Sequence, residues 1–129
     1  MQDFRRLRVW VDSVDMAALV YRATEALPRS ERYGLRAQVR ASAVSVSSNI
    51  AEGCGRRSNR ELLTFLYIAA GSVKELACQL RIATDLGYGD PSAAQRLDVH
   101  ATRVAKMLAR LITFLRNQPA WRNKEGSPG

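Results

Sequence analysis

The stretch Ala41–Arg57, ASAVSVSSNIAEGCGRR, decides how this chain is read. Val46 and Ile50 stand four apart, and Val39, Ala43 and the earlier Leu35 extend them into one helical face. Serine and alanine fill the rest of the surface. Asn49 and Glu52 fall three apart where a helix core is normally apolar. Gly53 and Gly55 then flank Cys54 and permit a tight turn, and Arg56 and Arg57 follow. Upstream, Ser30 is a good N-cap and Glu31 suits a first turn, so the sequence predicts a helix from Ser30 to about Glu52. Arg32, Arg36 and Arg40 stripe another face of it. Like charges at that spacing repel, so they form a solvated face or meet an acidic partner, in the same subunit or another.

The rest of the chain supplies helices to pack against this one. After a lead, Met1–Arg8, with Phe4 and Leu7 as apolar anchors, a helix is expected from Arg8 to about Ala26. Its stripe is Trp10, Val14, Ala17, Tyr21 and Thr24, and Pro28 ends it. Beyond the turn, Ser58-Asn59-Arg60-Glu61 reads as a capping box. The helix it opens runs to about Leu86 and stops at Gly87. Leu62, Phe65, Ala69, Leu76, Leu80 and Ala83 form its stripe, and further apolar residues spread almost all round it. That implies a central position, or a second face committed to another subunit. Asp90 caps a fourth helix with Pro91 at its first position. Its stripe is Leu97, Ala101, Val104, Leu108, Leu111 and Leu115, and it ends near Asn117. The expected fold is all-α: an antiparallel up-down-up-down four-helix bundle over residues 1–118, followed by a flexible polar tail, 119–129.

A chain of 129 residues with 47% hydrophobic content can bury one core. No run of eighteen apolar residues indicates a membrane span. The polar N-terminus carries no apolar signal core, so a cytoplasmic location is expected. Two cysteines are too few for a disulfide framework. Cys78 reads as a small buried hydrophobe and Cys54 as a turn residue.

The formal charge is +8, and 17 of the 20 basic residues are arginine, which forks onto phosphate and carboxylate. In the expected topology one end gathers the start of the first helix, the turn between the second and third, and the end of the fourth. Arg5, Arg6, Arg8, Arg56, Arg57, Arg60, Arg110, Arg116, Arg122 and Lys124 fall there, against Asp3, Glu52, Glu61 and Glu125. This basic pole, joined by Arg103 and Lys106 and by the N–H groups opening the third helix, is a candidate phosphate-binding surface. Arg56, Arg57 and Arg60 are the expected main contacts, aided by Arg5, Arg6, Arg8, Arg110 and Arg116. Few aromatic residues are available to stack bases, so backbone-led binding of RNA fits better than base readout.

No catalytic centre or cofactor site is legible, and an enzyme is not expected. A di-iron bundle needs Glu-x-x-His pairs, and the single histidine, His100, reads as a surface residue. Gly53-Cys54-Gly55 lacks the Lys-Ser/Thr of a phosphate loop, no Cys/His cluster matches zinc, and the serines have no nucleophile-elbow setting. Asn49 and Glu52 have two readings. Either they brace the turn from within, with Glu52 bonding an arginine or the start of the third helix and Asn49 bridging helices, or they shape a contact with RNA or another ligand.

Ser45-Val-Ser-Ser-Asn-Ile-Ala-Glu-Gly53, followed by Cys-Gly-Arg-Arg-Ser58, resembles the signature of the four-helix-bundle proteins encoded in 23S ribosomal RNA intervening sequences. Leu7-Arg-Val-Trp10, Glu31-Arg-Tyr-Gly-Leu35, Gly71-Ser72 and Leu86-Gly-Tyr88 agree with it. The resemblance spans Phe4 to about Leu115. It implies a four-helix bundle assembled as a homopentamer; Asn49, Glu52, Gly53, Gly55 and Ser58, read above as brace, turn and cap, form the structural motif within the matching stretch. It also implies a relation to the accessory variability determinant of diversity-generating retroelements, which binds reverse transcriptase and nucleic acid through a basic surface. The expected role is therefore a non-enzymatic oligomer that binds RNA or other nucleic acid. The rival is a protein-binding scaffold, or a structural oligomer of no defined activity.

Overall fold

The structure, a computed structural model, describes residues 3–118. The expected tail, with Trp121, Arg122, Lys124 and Glu125, lies outside the described residues. Four helices account for nearly all of the rest: α1 Arg8–Thr24, α2 Leu35–Cys54, α3 Asn59–Asp85 and α4 Pro91–Arg116. Short 3-10 turns at Phe4–Arg6 and Arg29–Glu31 precede α1 and α2. No strand occurs among the described residues. The helices pack as a bundle in which α2 touches α1 and α3, and α4 touches α1 and α3.

The helix ends follow local chemistry. Ser58 Oγ accepts from the Glu61 N–H at 3.2 Å to cap α3. Asp90 caps α4 by accepting from the Ser92 N–H at 3.3 Å. Gly87, with φ +75°, closes α3 while the Tyr88 N–H reaches the Ala83 carbonyl at 2.9 Å. The start of α2 differs from expectation. Ser30 lies in the preceding 3-10 turn, Gly34 is the N-cap, and the Leu35 N–H donates to Glu31 Oε1 at 3.1 Å. A carboxylate four residues upstream thus satisfies an orphan donor that a serine was expected to serve. The Tyr88 hydroxyl donates to the other Glu31 oxygen at 3.4 Å, which ties the α3–α4 loop to the same point.

The core faces of α2 and α4 follow the expected stripes closely; on α3 Leu62, Ala69, Leu76 and Ala83 are buried as expected, but Phe65 and Leu80 are half-buried and Leu63, Leu66 and Val73 take the core in their place. Val39, Ala43, Val46 and Ile50 are fully buried with Leu62, Leu66, Leu76, Val104 and Leu108. On α4, Ile112 lies deeper than Leu111. Helix α1 is turned relative to expectation. Its buried face is Val9, Asp12, Ser13, Met16, Val20 and Thr24, while Val14 and Tyr21 are exposed. The buried hydroxyls satisfy themselves locally. Ser13 Oγ donates to the Trp10 carbonyl and Thr24 Oγ1 to the Val20 carbonyl, both at 2.7 Å. That bonding lets polar residues take core positions and leaves the larger apolar ones outside.

Both cysteine expectations are reversed. Cys54 is the buried last residue of α2, and Cys78 is exposed on α3. Burial pushes the Cys54 thiol above its ordinary range. His100 is half-buried. Its Nε2 lies 3.0 Å from the Asp12 carbonyl and, as the donor, links α4 to α1. Neither Gly53 nor Gly55 uses a left-handed backbone: Gly53 is inside α2 and Gly55 caps it at φ −84°. Gly53 serves packing. A Cβ there would fall 2.9 Å from both Leu62 Cδ1 and Phe65 Cβ, so its absence lets α2 and α3 converge.

Candidate nucleic-acid interface

The turn between α2 and α3 is built by that convergence. Glu52, the first odd polar residue, is exposed and pairs with Arg56 at 2.6 Å. The Arg56 guanidinium lies 4.7 Å from the Phe65 ring centroid. Glu52 is therefore not a buried brace: it fixes Arg56 from the solvent side while Phe65 supports it from α3. Asn49 does not bridge helices itself. Its amide donates to the Ser45 carbonyl at 2.8 Å and to Ser45 Oγ at 3.0 Å, and Ser45 Oγ meets Ser72 Oγ on α3 at 2.9 Å. The bridge is the serine pair, with Asn49 steering one hydroxyl. Nothing in the composition of the stretch singled out Ser72 as its partner.

The expected phosphate contacts fall into two groups. Arg5 is held by Asp3 at 3.3 Å and lies over the Phe4 ring, and Arg8 reaches Asp12 at 3.7 Å. With Arg56, these carry charge already half answered by a neighbouring acid. Arg6, Arg57, Arg110 and Arg116 are exposed and make no ion pair among the described residues. Arg60 is exposed in the first turn of α3. The opening of α3 is itself occupied: the Ser58 hydroxyl donates to Glu61 Oε2 at 3.3 Å, so a carboxylate already sits where a phosphate was expected. On α4, Arg103, Lys106 and Arg110 are exposed at i, i+3 and i+7, one face of a helix.

The arginine stripe of α2 lies elsewhere, where α2 begins beside the end of α1. Arg36 and Arg40 both reach Glu25 Oε1, at 3.0 and 2.9 Å. Arg40 also donates to Thr24 Oγ1 at 2.8 Å and to the Tyr21 carbonyl at 3.0 Å, with its guanidinium 4.5 Å from the Tyr21 ring centroid. The acidic partner left open by the sequence is thus within the chain. The hydrogen bond from Arg40, followed by the Arg36 charge, holds the Glu25 carboxyl below its usual range. Arg32 stands over Tyr33 at 5.4 Å, and a groove lined by Tyr21, Tyr33 and the three arginines opens there.

Among the described residues no group of three or more His, Cys, Asp or Glu side chains is placed to hold a metal. No helix there is long and apolar enough to cross a membrane.

The sequence model of the family described as 23S rRNA-intervening sequence protein matches residues 5–110. The fold is similar to a crystal structure of a protein with unknown function from the S23 ribosomal protein family of Bacteroides thetaiotaomicron. The TM-score is 0.75 at 20% identity, covering 81% of this chain and 97% of that one. At that identity the likeness bears on the fold. No curated protein matches the chain.

Proposed function

The chain belongs to the 23S rRNA-intervening sequence protein family, and from that footing we propose that it is a non-enzymatic antiparallel bundle that assembles with itself and binds RNA or other nucleic acid through exposed arginines. The antiparallel course is supported by one cavity lined jointly by the end of α1, Val39 near the start of α2, the end of α3 and the start of α4. The opposite ends then gather Arg6, Arg57, Arg110 and Arg116. Five copies is the number the family resemblance implies.

The observation that carries the reading is the row Arg103, Lys106 and Arg110, exposed on one face of α4 with no ion pair among the described residues, with Arg116 exposed further along the helix on another face. At a rise of about 1.5 Å per residue the row extends roughly 10 Å. One strand of a duplex presents a phosphate about every 3.4 Å along the helix axis, so a row of this length can meet two or three of them. The face carries one exposed aromatic ring, Phe114, against three cations, which favours contact with the phosphate backbone over base stacking. Repetition of the row in an oligomer would add avidity.

Charge reversal tests the assignment. Arg103→Glu with Arg110→Glu is expected to abolish retention of a structured RNA at low salt. Arg57→Glu alone weakens it, and Arg56→Glu has the smallest effect because Glu52 already answers that charge. Equal binding by all variants would contradict the reading. A protein partner recovered after nuclease treatment, with no RNA retained, would favour the scaffold alternative.

A further inference from the structure

Three rows of exposed side chains on this bundle repeat every three and four residues, the spacing of a seam that meets another helix. On α3 the row is Thr64, Ile68, Gly71, Glu75, Cys78 and Ile82; on α1, Val11, Val14, Ala18 and Tyr21; on α2, Ala37, Ala41, Val44 and Ser48. Ile68 and Ile82 remain 47% and 46% exposed, and Tyr21 and Val44 44% and 41%.

Gly71 sits at the centre of the α3 row. Glycine inside a helix is unfavourable relative to alanine, so its presence in a 27-residue helix needs a reason. Gly53 has one within the chain, where a Cβ would collide with Leu62 and Phe65. Gly71 has none, because a Cβ built there meets nothing within 4 Å. The atoms that exploit its bare backbone come from outside the described residues. The α1 and α2 rows border the groove that contains Tyr21, Ala37, Arg40, Ala41 and Val44. Small residues on α2 give it room, and Glu25 holds Arg36 and Arg40 in place, so little ordering remains to be done on docking.

We propose that the outer row of α3, centred on Gly71, docks into the α1–α2 groove of a second copy of this chain. The groove carries Arg32, Arg36 and Arg40 around the carboxylate of Glu25. On the ridge Glu75 stands in the row itself, the exposed Lys74 borders it, and Arg81 is paired with Asp85 at 3.0 Å, so Glu75 is the charge that meets the groove's arginines. Ridge and groove are different surfaces on one chain, so the contact is head-to-tail and each copy brings one of each. The inference rests on the self-assembly in the reading above and adds which faces meet.

The test uses the full chain in sedimentation velocity and native mass spectrometry. Gly71→Leu spoils the ridge and Ala41→Glu spoils the groove. Each variant alone is expected to dissociate, with self-affinity lowered roughly tenfold or more. Mixed together they form a 1:1 dimer and nothing larger, because one intact ridge still finds one intact groove. Gly71→Ala guards against misfolding: the isolated subunit should melt no lower than the parent, yet assemble less. Cys78 should be alkylated slowly in the parent assembly and quickly in the dissociated variants, with Cys54 slow in both. If the parent assembles and Gly71→Leu or Ala41→Glu assembles equally well, the proposed faces are wrong and the oligomer stands. A monomeric parent would overturn the faces and the oligomer together.

Discussion

Gly53 shows how much one atom decides in this chain. Gly53→Ala would place a Cβ 2.9 Å from Leu62 and Phe65, and α2 and α3 would have to part where Arg56 lies over the Phe65 ring. The expected cost is about 1–3 kcal/mol, read as a lower midpoint in chemical denaturation. Gly55→Ala, with an ordinary backbone and its nearest contact at 3.5 Å, should be nearly neutral by comparison. Residues of this kind were only partly legible. The glycines announced a break, but whether each serves a turn or a packing contact depends on what the next helix brings, and Leu62 and Phe65 are known only after folding. The same holds for Ser45, whose partner Ser72 lies 27 positions on. It holds also for Glu52, which read as a buried acid and is an exposed partner of Arg56.

At the scale of the element, the ends of α3 and the start of α4 were read well, the start of α2 was not, and helix faces were read less evenly. Ser58, Asp90 and Gly87 act within a few residues of themselves, so their signals survive in the sequence. The face of α1 did not. Ser13 and Thr24 return their hydrogen bonds to their own helix and sink into the core, while Val14 and Tyr21, which looked like core, remain outside. The join between α1 and α2 makes a pH prediction. The folded-state pKa of Glu25 is lowered by Arg40 and Arg36. Its stabilising effect is therefore present above the ordinary glutamate value of about 4.3 and fades as pH falls through the depressed folded value. Glu25→Gln should lower the melting temperature slightly at neutral pH. It should also flatten the loss of stability as pH falls below about 5, relative to the parent. A parent and variant that lose stability in parallel over that window would show that the clamp contributes nothing. The exposure of Glu25, with 67% of its side chain open to solvent, keeps the expected effect small and salt-sensitive.

For the whole molecule, the charge map was legible as a total and the pairing was not. Seventeen arginines are visible in the sequence. Only the fold shows that Asp3, Asp12, Glu25, Glu52 and Asp85 answer Arg5, Arg8, Arg36, Arg40, Arg56 and Arg81, while Arg57, Arg103, Arg110 and Arg116 are exposed with no ion pair among the described residues. The central claim is that these exposed arginines bind the phosphate backbone of nucleic acid, and its most direct test is a salt titration of affinity for a structured RNA. If the α4 row and its neighbours on each subunit displace counterions, log K should fall linearly with log salt. The slope should be roughly −0.7 to −0.9 per phosphate contacted, and shallower in Arg103→Glu with Arg110→Glu. No binding at low salt by folded protein, or an affinity unmoved by salt, would contradict the account.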